Sequence, residues 1–253
     1  MAWIDQKEIL SREVLRLLYE YRMIRTFYRD RPEGWTLISG IYSPIYIQLR
    51  PLVSYPVVFK KICEAMCLLL KEEAADITKI IGIAMAGVPI VAGMSVTGAV
   101  PAAFTRKMER VKSLDDFRSQ IQSYGEHALI EGEIDDNEQI ALVDDLVTRF
   151  DSKLIALEQV RSELDRRGVN GAECHTILVV LDREQGGAEA ARTHGLNLIS
   201  LVKFKSNGLN YLKSHMNTFE WNVIQEYLMD SEKFQDPEIQ KKLAGKALGY
   251  GSH

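Results

Sequence analysis

Ile140-Ala141-Leu142-Val143-Asp144-Asp145-Leu146-Val147-Thr148-Arg149-Phe150-Asp151-Ser152 is the stretch on which the reading of this chain turns. A short apolar run, Gln139–Val143, has the pattern of a strand buried on both faces and ends in two adjacent carboxylates. A hydroxyl follows in a turn, and Ser152–Arg167 then reads as an amphipathic helix, with Leu154, Leu157, Val160 and Leu164 on one face and Gly168 as its stop. The first turn of such a helix offers unpaired N–H groups and a positive dipole end, which suit a phosphate. Carboxylates at the strand end accept hydrogen bonds from sugar hydroxyls, so the segment is built to hold a ribose phosphate. Spacing alone leaves a second reading equally open, a strand followed by a polar turn that Asp151 caps.

Outward from this segment, strand and helix patterns alternate. Lys79–Ala84 and Pro101–Thr105 read as strands flanking a helix over Val88–Val96, and Pro56–Glu72 as the helix before them. Downstream, His175–Leu181 is a strand ending in Asp182-Arg183, Ala188–His194 a short helix closed by Gly195, and Leu196–Lys203 a strand. Upstream, residues 6–28 have helical spacing, followed by extended pieces over Trp35–Ser39 and Pro44–Leu49 with a turn at Gly40. From Lys107 to Glu126 the pattern dissolves into charged and polar residues, as in a functional loop. From Asn207 onward the chain reads as helical and polar. Alternation of this kind implies an α/β fold whose mostly parallel, twisted sheet is flanked by helices, with ligands outside the carboxyl ends of its strands. That rule selects the turns after Ala84, Asp145 and Arg183.

With 253 residues, 46 % hydrophobic and 26 % charged, the chain has an ordinary globular composition, and a net charge of −4 excludes a bulk nucleic-acid binder. Three cysteines do not make a disulfide framework; Cys63 and Cys67, four apart, share a helix face without the further ligands a metal needs. The N-terminus lacks the cationic start and apolar core of a signal peptide, and no apolar run reaches the roughly 18 residues of a membrane helix. The expected location is the cytoplasm.

The double-acid segment resembles the PRPP (5-phosphoribosyl 1-diphosphate) signature of type I phosphoribosyltransferases. Ser39-Gly40-Ile41-Tyr42-Ser43-Pro44-Ile45-Tyr46-Ile47 with Leu49-Arg50, and Leu181-Asp182-Arg183-Glu184-Gln185-Gly186-Gly187, are similar to orotate phosphoribosyltransferases, above all the transferase part of bifunctional UMP synthases. Arg106-Lys107 falls where that family's mobile catalytic loop begins, and the matches run in family order from about residue 35 to 205. The resemblance implies the type I phosphoribosyltransferase fold. It implies an N-terminal helix and hood over 1–50, a core over 51–206 and a helical extension over 207–253. It further implies transfer of ribose 5-phosphate from PRPP to orotate in UMP biosynthesis, by a homodimer whose loops serve the neighbouring site, with Mg²⁺ carried mainly by PRPP and no dedicated metal ligands.

By the same resemblance, Asp144 and Asp145 hold the ribose hydroxyls, Thr148, Arg149, Phe150, Asp151 and Ser152 surround the 5′-phosphate, and Leu146 and Val147 count among the PRPP-binding residues. Ala84, Met85, Ala86 and Gly87 form the pyrophosphate loop; Arg106 and Lys107, with Asp145, are the catalytic groups; Tyr46, Ile47, Thr148 and Arg183 border orotate. The chain departs from the family pattern in three places. Ile38 stands where a lysine is usual, Arg149-Phe150-Asp151 stands where the phosphate loop usually carries glycine among small residues, and the second loop lysine aligns with Gln122 after an apparent insertion. These departures leave two further readings open, a catalytically weak relative that binds PRPP or a nucleotide as a sensor or subunit, and a transferase for another base.

Overall fold

The computed structural model describes residues 2–37, 39–121, 127–148 and 150–250. Its helices are α1 (Trp3–Glu20), α2 (Pro56–Glu73), α3 (Gly87–Gly98), α4 (Leu114–Ile121), α5 (Asp151–Arg167), α6 (Gly187–Thr193), α7 (Leu209–Tyr211), α8 (Thr218–Met229) and α9 (Pro237–Tyr250). Its strands are β1 (Ile24–Thr26), β2 (Trp35–Thr36), β3 (Tyr42–Ser43), β4 (Ile45–Ile47), β5 (Lys79–Gly82), β6 (Ala102–Thr105), β7 (Ile130–Glu131), β8 (Gln139–Val147), β9 (Glu173–Asp182) and β10 (Asn197–Lys203). Two compact units divide them: Val53–Lys203 with the N-terminal residues to Lys7, and Glu8–Leu52 with the chain from Phe204 on.

The first unit carries a six-stranded sheet in the order β10-β9-β8-β5-β6-β7, parallel except for β7. The parallel strands are apolar because helices cover both faces: Ile140, Ala141, Leu142 and Val143 of β8 and Ile177 to Leu181 of β9 are fully buried. On one face Ile81, Ile140, Leu142, Ile177 and Val179 pack with Ala156, Leu157 and Val160 of α5. α5 stops at Gly168, which adopts φ +67° and donates its N–H to Leu164 and Asp165 carbonyls. The chain leaves β5 for β6 on one side and reaches β8 on the other, so the boundary between β5 and β8 is the switch point at which α/β sheets open a crevice.

Three sequence expectations are corrected. The helix expected over 6–28 ends at Glu20, because Arg22 turns left-handed (φ +58°) and Ile24–Thr26 then pair antiparallel with Ile45–Ile47. The extended piece Trp35–Ser39 keeps only Trp35–Thr36 as strand, paired with Tyr42–Ser43; Ile38 lies outside the described residues. The region expected to lack structure, Lys107–Glu126, contains α4, whose Phe117 is buried with Met108 and Leu129 against Ile155 of α5. Local polarity hid α4, since one aromatic anchors it. Gln122 and residues 123–126 lie outside the described residues.

In the second unit the C-terminal segment is less polar than its composition suggested. α8 buries Trp221, Val223, Ile224 and Tyr227, and opens with a capping box between Asn217 and Glu220. Glu220, 1 % exposed, also accepts the hydroxyls of Tyr19 (3.0 Å) and Thr26, which ties α8 to α1 and β1.

Candidate active site

Each strand of the first unit delivers one part of the site. After β5, Ile83 donates to the Val143 carbonyl (2.8 Å) and the chain turns through Ala84, Met85 and Ala86 into α3. The peptide between Ala84 and Met85 is cis. Gly87 is required at the turn's end: a Cβ there would sit 2.2 Å from the Val143 carbonyl oxygen. The Ala84 N–H donates to the buried Thr105 hydroxyl at the end of β6 (2.9 Å), a contact that sequence reading missed. Met85 is exposed, at the open side of the turn.

β8 runs four residues beyond its expected end, through both acids to Val147. Asp144 and Asp145 are 7 % and 9 % exposed. Asp144 Oδ1 accepts the Asp145 N–H (2.8 Å), and Asp145 Oδ1 accepts the Leu146 N–H (2.7 Å). Burial, then the neighbouring Asp144 charge, push the Asp145 carboxyl up to about 7, while Lys153 opposes them. Lys153 is 4 % exposed and donates to Asp144 Oδ2 (2.8 Å) and the Leu146 carbonyl (2.8 Å). Sequence reading passed over Lys153, although its spacing to Ala156, Leu157 and Val160 puts it in line with the apolar stripe of α5, where an unpaired lysine would be costly.

The turn into α5 corrects one expectation. Asp151 is not the N-cap: Phe150 holds that position without a side-chain cap, and Asp151 is the first helical residue, exposed. Phe150 turns its ring into the core beside Leu157, so only its backbone fronts the turn. Thr148 is half-buried and Ser152 exposed; Arg149 lies outside the described residues. At the end of β9 the Arg183 N–H donates to the Val147 carbonyl (3.0 Å), so Arg183, 9 % exposed, leaves the sheet beside Thr148.

Arg106 and Lys107, following β6, are exposed. Arg106 is tied through its backbone: its N–H donates to the Leu129 carbonyl (2.9 Å), and its carbonyl accepts Gln159 Nε2 from α5 (2.8 Å). Its guanidinium lies 3.5 Å from Glu131. In the second unit, Tyr46 is half-buried and stacks on Trp35, with centroids 5.7 Å apart and planes 19° from parallel, while Ile47 is buried.

A chain of Pyrobaculum aerophilum described as orotate phosphoribosyltransferase is 30 % identical over 196 residues, 77 % of this chain and 90 % of that one. The chain belongs to the orotate phosphoribosyltransferase family. Solved structures agree with it in fold. An orotate phosphoribosyltransferase from Aeropyrum pernix matches with a TM-score of 0.62 at 21 % identity, over 80 % of this chain and 97 % of that one. Leishmania donovani UMP synthase matches with a TM-score of 0.68 at 24 % identity, over 87 % of this chain and 42 % of that one. No protein-family model matches the chain. Within the family, this chain sets a buried ring and an acid at the β8–α5 turn, at Phe150 and Asp151, and the buried ring leaves the turn itself free of aromatic bulk. Among the described residues no helix is long and apolar enough to cross a membrane.

Proposed function

We propose that the chain transfers the 5-phosphoribosyl group of PRPP to orotate, giving orotidine 5′-monophosphate and pyrophosphate in cytoplasmic pyrimidine biosynthesis. One observation carries the reading: membership of the orotate phosphoribosyltransferase family, in a chain whose acid pair and Arg183 stand at adjacent strand ends. In the reaction, the bond from ribose C1 to the pyrophosphate oxygen breaks, orotate N1 bonds to C1, and the N1 proton is lost. Positive charge develops on the ribose and negative charge on the leaving group, so catalysis is charge stabilisation rather than proton shuttling.

The acid pair Asp144 and Asp145 forms the ribose subsite for PRPP. The turn from Thr148 to Ser152, with Arg149, Phe150 and Asp151, surrounds the 5′-phosphate, helped by the hydroxyls of Thr148 and Ser152 and the dipole of α5, and Leu146 and Val147 lead the strand into this PRPP site. The turn Ala84–Gly87 cradles the pyrophosphate, and Arg106 and Lys107 stabilise it as it leaves. Arg183 pairs with the orotate carboxylate, a planar match to a guanidinium, with Thr148 at the next strand end; the family resemblance assigns Tyr46 and Ile47 to orotate as well. Mg²⁺ takes oxygen donors and retains waters; with Asp144 already paired to Lys153, the site fits an ion carried by the pyrophosphate oxygens, where it neutralises leaving-group charge. The core is 51–206, with 1–50 an N-terminal helix and hood segment and 207–253 a helical extension. The working unit is a homodimer in which Arg106 and Lys107 serve the partner's site.

Pyrophosphate release from PRPP and Mg²⁺, measured with and without orotate on wild type and Arg183→Ala, tests the reading. The expected result is orotate-dependent release that Arg183→Ala reduces at least 100-fold, about 2.7 kcal/mol. Absence of orotate-dependent release from wild type overturns it and leaves a ligand-binding member of the family.

A further inference from the structure

The two acids at the end of β8 are adjacent in sequence but not equivalent in space. Strand residues alternate between faces, and Asp144 follows Ile140 and Leu142, whose side chains pack against α5. Asp145, the next residue of the strand, keeps its carboxyl beside that of Asp144 but makes no ion pair of its own with Lys153. Lys153 rises from the first turn of α5 to meet Asp144 alone. Its ammonium has three protons and three acceptors: Asp144 Oδ2 and the Leu146 carbonyl, both at 2.8 Å, and Ser152 Oγ at 3.4 Å. A lysine in the first turn works against the helix dipole, and burial of its charge is costly without a partner. Among these three acceptors only Asp144 carries a charge that offsets both costs.

Both carboxylate oxygens of Asp144 thus already accept a hydrogen bond. One carboxylate oxygen accepts the Asp145 N–H, the other the Lys153 ammonium. Asp145 takes one backbone N–H, from Leu146. We propose that Lys153 is a positioning residue that divides the acid pair, holding Asp144 as an internal strut and leaving Asp145 as the carboxylate that receives the ribose hydroxyls of PRPP. The inference rests on the proposed reading of this strand end as the ribose site. It goes further in assigning a role to a residue outside the double-acid segment and in giving the two acids different tasks.

The charge arrangement makes the proposal separable from a packing role. Asp145 faces the Asp144 carboxylate from its own strand and the Lys153 ammonium from α5. The neighbouring β5 and α3 bring no titratable side chain to this end, Lys79 lying at the start of β5, and β9 contributes Asp182 at its tip. Removing Lys153 alone leaves Asp145 beside an unneutralised Asp144, so its titration moves up. Removing the Asp144 charge alone leaves it beside an ammonium, so its titration moves down. Opposite charges at such range move a carboxyl by roughly one to three pH units.

The test uses the full chain with ¹³C-labelled aspartate, the Asp145 carboxyl signal being assigned by its loss in Asp145→Asn. Its titration is followed without ligand in wild type, Lys153→Met, Asp144→Asn and the double variant, and PRPP binding is measured by calorimetry across the same pH range. The expected result is a midpoint raised by at least one unit in Lys153→Met, lowered in Asp144→Asn and back near the wild-type value in the double variant, which carries no unpaired buried charge and keeps the chain folded where Lys153→Met alone does not. PRPP affinity follows the same midpoints, and at pH 8 Asp145→Asn weakens PRPP binding at least tenfold more than Asp144→Asn does. An Asp145 midpoint unmoved between wild type and the double variant's two parents overturns the inference, as does loss of PRPP binding in Asp144→Asn equal to that in Asp145→Asn. Midpoints that move as stated in a wild-type chain that binds no PRPP overturn the ribose-site reading, and the assigned role with it.

Discussion

The β8–α5 junction and the segment from Arg106 to Leu129 hold their charged residues in opposite ways. At the junction, Asp144, Asp145 and Lys153 are all at most 9 % exposed, and each polar group is matched by a neighbour. Along the segment, Arg106 and Lys107 are exposed, and what is buried is the anchoring: Met108, Phe117 and Leu129 pack against Ile155, and Glu163 of α5, 0 % exposed, accepts the Leu129 N–H (3.0 Å). The contrast follows from solvation. A buried charge has to be paired to exist at all, so its geometry is set before any ligand arrives. An exposed cation costs nothing to keep, so the fold needs to secure only the roots of the segment that carries it.

The sharpest way to break this comparison is to remove charge on the buried side. Lys153→Met strands the Asp144 carboxylate, and urea unfolding is expected to show a loss of about 3–5 kcal/mol, most of it restored when Asp144→Asn is added. A loss under 1 kcal/mol would mean that the junction is no more demanding than the surface. On the exposed side the effect should fall on catalysis instead. Lys107→Ala is expected to lower kcat by about 10²–10³ while the unfolding midpoint stays within about 0.5 kcal/mol of wild type. Mixed with Arg183→Ala and allowed to exchange subunits, it should recover activity if the loop serves the partner's site; no recovery would confine Lys107 to its own chain.

The smallest effect concerns the roots. Burial raises the Glu163 carboxyl, but Arg166 (2.5 Å), the Leu129 N–H and Arg167 (2.6 Å) outweigh it, and the net shift is downward. A carboxyl that titrates lower folded than unfolded contributes stability that is full above the ordinary glutamate value and is lost as pH falls through the lowered one. Glu163→Gln is therefore expected to cost about 1–3 kcal/mol at pH 7 and to flatten the acid limb of a stability-against-pH curve. An unchanged acid limb would show that the Arg166 and Arg167 contacts add nothing to the anchoring.

Much of the fold was readable along the chain because burial on both faces of a parallel sheet leaves a local mark. Ile140–Val143 and Ile177–Leu181 are apolar runs that end at charged residues, and Leu154, Leu157, Val160 and Leu164 repeat at helical spacing. The Leu181–Gly187 and double-acid segments carried the family resemblance in the same way, through neighbours in sequence. α4 escaped because a single buried aromatic, Phe117, anchors an otherwise polar helix. β1 escaped because three residues are too few to show a period, and its partner Ile45–Ile47 lies about twenty residues away.

Sequence alone thus determined which apolar runs form the central strands, which residue types stand near their ends, and the family to which the pattern points. Tertiary structure decided which of those residues are partners: Lys153 with Asp144, Thr105 with the Ala84 amide, Gly87 against the Val143 carbonyl, and Glu220 with Tyr19 and Thr26 across nearly the whole chain. The physical reason is range. Periodicity reports how each residue meets solvent or core within its own helix or strand, whereas a buried charge or a close backbone approach is satisfied by whichever group the sheet topology brings within about 3 Å, and that group carries no mark in the local pattern.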